Sequence, residues 1–217
     1  MKKIALHLIS LVSIILFCFI DSSDAGNAFK GELKESLSIL GLSLGESTLD
    51  NVEKVFGPSK LIETGEAALY EAKKCYVLGK GKDAVSISFI VGEMGGGTLS
   101  AIRLYPVKDI SLFEIDDCAR THVSNAEIFF ENGLKLGLTK DQVKKILGLP
   151  QKEEKYAFEY HYDLKITIPK SHDRYDEFIK CCAGVRPFSG EQWWIYADFN
   201  LSSLNGLSIS HIATLCE

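Results

Sequence analysis

The residues most able to do chemistry gather in the second half of the chain. Cys181 and Cys182 are adjacent, His172 and Asp173 shortly precede them, and His161 lies further upstream. Thiolate and imidazole together suit zinc, and a vicinal cysteine pair suits thiol–disulfide exchange. The spacing argues against both. It matches no zinc-ligand pattern, and the chain contains no C-x-x-C and no H-E-x-x-H. GEMGGGTLS is rich in glycine but lacks the Gly-Lys-Ser/Thr of a phosphate loop, so it reads as a turn between strands. Asp116 and Asp117 precede Cys118 and read as a solvated loop rather than a cation site. No metal and no cofactor is implied.

Aromatic residues offer a different chemistry. In KYAFEYHYDLKITI the apolar residues Tyr156, Phe158, Tyr160, Tyr162, Leu164, Ile166 and Ile168 alternate with polar ones. That is period two, a strand with one buried face. In EQWWIYADFNL both faces are aromatic. Trp193, Ile195, Ala197 and Phe199 make one face, and Trp194, Tyr196 and Asp198 the other. With the first face in the core, Trp194 and Tyr196 look outward, as anchors of a binding surface do. His161 sits on the polar face of the neighbouring strand, either as a pH-sensitive contact or as a solvated side chain. Trp194, Tyr196 and His161 are therefore the candidate binding residues. Cover from the inserted segment or from the other half of the chain is the competing arrangement.

The elements that hold these strands are written twice. GLSLGESTLDNVEKVFGP at 41–58 recurs as GLKLGLTKDQVKKILGLP at 133–150. Thr48 and Thr139 are N-caps, and Gln142 completes a capping box in the second copy. Leu49, Val52, Val55 and Phe56 form one helical stripe; Val143, Ile146 and Leu147 form the other. Gly57 and Gly148 stop the helices, and Pro58 and Pro150 prevent continuation. Each helix is too short to stand alone. The strand-like runs that follow each copy supply the cover, and LSAIRLY at 99–105 matches LNGLSIS at 204–210. The second copy carries extra residues near 169–191. The expected fold is α+β: two tandem units, at 29–121 and 126–217, each a short helix packed on an antiparallel meander.

The first residues address the chain. Lys2 and Lys3 precede a largely apolar stretch from Ile4 to Ile20, and Ser23 and Ala25 fit a small-residue cleavage site. A signal peptide over 1–25, cleaved after Ala25, implies a periplasmic or secreted protein with no integral membrane span after cleavage. Phe17 ahead of Cys18 excludes a lipoprotein signal. About 190 residues remain, enough for one large or two small domains. The net charge of −5 excludes nucleic acid as a partner, because phosphate neutralisation needs a basic face. Cys75, Cys118, Cys181, Cys182 and Cys216 are disulfide candidates in an oxidising compartment. Cys75 with Cys118, and one of Cys181 and Cys182 with Cys216, is one connectivity among those the sequence leaves open.

Gly137, Leu138, Thr139, Gln142, Val143, Leu147, Gly148 and Pro150 together resemble the helix motif of the exported SmpA/OmlA-like modules, which include BamE. Two such modules in tandem are similar in layout to β-lactamase inhibitory proteins. The resemblance covers about 14 residues per copy. It implies the BLIP/BamE-like fold and a non-enzymatic protein-binding role in the bacterial cell envelope, with an envelope component or an inhibited enzyme as partner. The motif residues are caps and core, so they carry no site. The opposing functional class is a secreted hydrolase or redox protein working through Cys181 and Cys182 with His161 or His172. A structural envelope protein that oligomerises through the odd cysteine is the third.

Overall fold

The computed structural model describes residues 35–66, 70–92, 96–109, 116–167 and 188–215, with backbone alone at 164–167, 188–189 and 214–215. All fall within the compact unit Lys34–Glu217. The signal peptide, His172, Asp173, Cys181, Cys182 and Cys216 lie outside the described residues.

Among the described residues two α-helices, α1 (Leu49–Phe56) and α2 (Lys140–Leu147), accompany nine strands. The strands are β1 (Ile62–Thr64), β2 (Glu71–Leu78), β3 (Val85–Gly92), β4 (Ala101–Pro106), β5 (Ala119–Arg120), β6 (Lys152–Glu153), β7 (Ala157–Thr167), β8 (Phe188–Asn200) and β9 (Ser203–Leu215). They form one sheet in the order β1-β2-β3-β4-β9-β8-β7-β6, with β5 joining β2 in parallel. The expectation of two tandem helix-on-meander units is thereby corrected. β4 and β9, the last strand of each supposed unit, pair antiparallel from Ala101↔Ser210 to Leu104↔Leu207. Two similar terminal strands each present an unsatisfied edge, and pairing them satisfies both rows of backbone groups. The result is a single sheet-dominated fold. Phe188–Glu191, at the end of the expected insertion, belong to β8.

Register decides which side chains share a face. Lys74, Phe89, Ile102, Ile209, Ile195 and Tyr160 stand in line across β2, β3, β4, β9, β8 and β7. All six are buried. This is the helix side of the sheet. Phe56 of α1 packs its ring 5.1 Å from Tyr76 and 5.0 Å from Phe89. Val52 and Phe56 in α1, and Val143 and Leu147 in α2, carry the buried stripes anticipated from periodicity. Each fully buried side chain of this size contributes about 1.5–3 kcal/mol. Lys74 is buried too, and its ammonium pairs with Glu53 on α1. That bond, more than any other contact, holds the Glu53 carboxyl below its ordinary range.

The repeated motif makes the same local bonds in both places. Leu99 donates its amide to Ser47 O at 2.7 Å, and Leu204 donates to Leu138 O at 2.7 Å. The lead-in to each helix is thus tied to the residues just before β4 or to the start of β9. Both helices carry a complete capping box. In α1 Asn51 plays the part that Gln142 plays in α2. At the other end Tyr76 donates its hydroxyl to Gly57 O at 2.9 Å, and Tyr162 donates to Leu147 O at 2.8 Å. A tyrosine of the following sheet therefore closes each helix terminus, where carbonyls lack intrahelical partners.

Cys75 and Cys118 form a disulfide across 43 residues, as one of the connectivities weighed above has it. In the chain-entropy account a loop of that length contributes about 4 kcal/mol. Among the described residues no helix is long and apolar enough to cross a membrane.

Candidate functional site

The face opposite the helices has its own register lines. One runs Lys73, Ile90, Ala101, Ser210, Trp194 and His161. The next runs Cys75, Ser88, Arg103, Ser208, Tyr196 and Glu159. Small residues on β9 thus form a floor. Trp194 and Tyr196 on β8 rise on one side of it, and Arg103 and Tyr105 on β4 on the other.

The three candidate binding residues all lie on this face. His161 is the cross-strand partner of Trp194, and their rings stack 5.0 Å apart at 9°. His161 Nε2 lies 3.3 Å from Asp163 Oδ1. Stacking fixes the indole on its β7 side and leaves its other side toward Ser210. Tyr196 is 39% exposed, among the few large apolar side chains open to solvent. The alternate face, Trp193, Ile195, Ala197 and Phe199, is buried throughout as its pattern implied. Tyr156 departs from the alternation. It precedes β7 and is exposed, with Lys155 Nζ 4.9 Å from its ring centre.

A tighter arrangement lies one step along, and it was not singled out from the sequence. Asp198 pairs in register with Gly206 on β9, and the register shifts just beyond, between Asp198 and Phe199. This bulge lets Phe199 and Leu204 both turn into the core while Asp198 stays on the open face. Gly206 has to be glycine. A Cβ there would stand 2.5 Å from Tyr105 Cε1 and 3.1 Å from Asp198 Oδ2. The Tyr105 ring and the Asp198 carboxylate therefore meet over a bare stretch of backbone, and the Tyr196 hydroxyl lies near enough to the same carboxylate to influence its ionisation. Burial holds Asp198 above the ordinary carboxylate range, partly offset by the Tyr196 hydroxyl. Asp198 in turn raises Tyr196, with burial and the carboxylates of Glu154 and Glu159 adding to it. Tyr105 is raised by burial first and by Asp198 second. The region is acidic. Tyr105 and Asp198 come from opposite halves of the chain, and only the β4–β9 pairing brings them together.

The outer edge of β7 is covered along its first residues. Gln151 Nε2 donates to His161 O at 2.8 Å, and the His161 amide donates to Gln151 Oε1 at 2.9 Å. A side-chain amide thus imitates one more residue of strand, which blocks edge-to-edge association.

Other candidates come to less. Asp117 is bound to Lys60 at 2.6 Å beside an open hollow of about 450 Å³ near Cys118. Among the described residues no group of three potential ligands could hold a metal ion. GLSLG at 41–45, read above only as part of the repeat, also spells G-x-S-x-G. A nucleophile elbow needs a strand entering and a helix leaving at the serine. Here a tight Ile39–Leu42 turn enters, and α1 starts only at Leu49. The histidine nearest this stretch, His211, is buried against Trp193 at 4.4 Å, with Glu191 Oε2 3.9 Å from its Nε2.

Comparison of the chain with protein-family models, with curated proteins and with solved structures finds no match in any of the three.

Proposed function

We propose that this chain is an exported, non-enzymatic protein-binding module of the bacterial cell envelope, and that it docks its partner on the sheet face opposite the helices. The observation that carries this reading is the row of Trp194, Tyr196 and His161 beside a floor of small residues. Rigid aromatic side chains present large contact area at little cost in conformational entropy. The likeness of the helix motif to exported SmpA/OmlA-like modules supports the reading, and so does the Cys75–Cys118 disulfide, a bond that belongs to oxidising compartments.

The double variant Trp194→Ala, Tyr196→Ala tests it. Removing the indole costs the His161 stack, about 0.5–1.5 kcal/mol. The variant should therefore keep the wild-type circular dichroism spectrum and a cooperative melt. Crosslinking in the envelope fraction should join the wild-type chain, and not the variant, to a defined partner. A folded variant that still crosslinks to the same partner would rule the face out.

A further inference from the structure

The acidic corner of the open face narrows the partner's chemistry, given that the face is where a protein docks. Four features coincide there. Asp198 is half-buried on the face, and its shifted ionisation has burial and the Tyr196 hydroxyl as its causes, with no cation of the described residues among them. Arg103, the nearest basic residue on β4, is directed to Glu71 on β2 at 3.7 Å. Lys152 is committed to Glu154 at 2.8 Å and Glu159 at 3.2 Å. Gly206 keeps the floor bare, so that the Tyr105 ring and the Asp198 carboxylate approach each other closely.

A half-buried carboxylate without a cation is costly to keep. Two phenol rings beside it attract positive charge through their faces. Glu154 and Glu159 add to the negative potential at Tyr196. Neutral or acidic side chains would gain nothing from this pocket, and an acidic one would be repelled. We propose that Asp198, flanked by Tyr105 and Tyr196 over Gly206, receives a lysine or arginine side chain of the docked partner. Trp194, four residues back along the same face of β8, takes an apolar or aromatic residue of the same extended segment. Alternate side chains of a strand share a face and each residue rises about 3.3 Å, so the two subsites match an i, i+4 spacing in the partner.

The test is selection of displayed random peptides on the full, disulfide-bonded chain, followed by affinity measurements on individual peptides. The expected binders carry Lys or Arg. Exchanging that residue for Gln, or Asp198→Asn in the protein, weakens them about 10- to 100-fold, as loss of a charged hydrogen bond does. Asp198→Asn removes the charge and conserves the volume and shape of the side chain, so its fold is retained. Tyr105→Leu provides a second variant that leaves the charge in place and should also weaken binding. Binders that are lost in the Trp194/Tyr196 double variant but are indifferent to Asp198→Asn would overturn the cation subsite and leave the docking face standing. Binders indifferent to both, or no binders at all, would overturn both.

Discussion

At the residue scale, two positions are decided by what stands against them. Gly45 and Gly137 are equivalent in the repeat and both have positive φ, 76° and 85°. A Cβ on Gly45 would meet the buried His211 ring at 2.7 Å, whereas one on Gly137 would meet nothing within 4 Å. Gly137→Ala should cost only the left-handed backbone penalty, about 1 kcal/mol. Gly45→Ala should cost at least about 2 kcal/mol, because an aromatic ring in the core must move as well. Urea titration of the two variants measures the difference, and equal losses would contradict this packing. Asp198 is the second position. Its folded-state pKa lies above its unfolded value, so its stabilising contribution is full below the ordinary aspartate range. That contribution is lost as pH rises through the folded value. Beside it stand Tyr105 from β4 and Tyr196 from β8; Arg103 acts on Tyr105, and Glu159 from β7 and Glu154 beside β6 act on Tyr196. Asp198→Asn should melt higher than wild type at pH 7, and the two should converge at about pH 4 and below. A residue whose charge costs the fold stability is what a binding site retains for its partner.

At the element scale, each helix is held by a cap, a stripe and a tyrosine from the sheet. Thr48 and Thr139 accept from the backbone of Asn51 and Gln142, and those side chains return a bond to the threonine amides. Thr48→Ala and Thr139→Ala should each lower stability by about 1 kcal/mol. They lie in different helices, so the double variant should show the sum. Thermal and urea unfolding of the three variants checks this, and a strongly non-additive result would mean that the helices share more than the sheet. The capping box of α2 was legible in its letters. That of α1 was not, because asparagine in the third position departs from the usual Glu or Gln. The tyrosine closures were not legible either, since Tyr76 and Tyr162 reach back 19 and 15 residues to their carbonyls.

At the scale of the whole molecule, the pairing of β4 with β9 makes the two copies interdependent. Ser38 O accepts from Glu131 N at 3.0 Å, and Ser36 O from Asn132 N at 2.9 Å, so the lead-in to the first copy is tied to the lead-in to the second. Unfolding in urea should therefore be one cooperative step. Fluorescence of Trp193 and Trp194, which lie on β8, should follow the same curve as far-ultraviolet circular dichroism, which reports the entire sheet. Two separated transitions would show that each copy holds its own core.

What the sequence determined by itself is local. Period two placed Trp193, Ile195, Ala197 and Phe199 inward and Trp194 and Tyr196 outward, because a strand's side chains alternate whatever its neighbours are. Period 3.6 with Thr and Gly at the ends placed α1 and α2, because caps and stops act within one turn. What only the tertiary structure decided is which strands meet. LSAIRLY and LNGLSIS are alike as letters, but nothing in them says that they pair with each other rather than each forming the edge of its own sheet. That choice rests on satisfying backbone donors and acceptors across 105 residues of chain, from Leu99 to Leu204. It turns two expected units into one sheet, and it brings Tyr105 to Asp198 over Gly206.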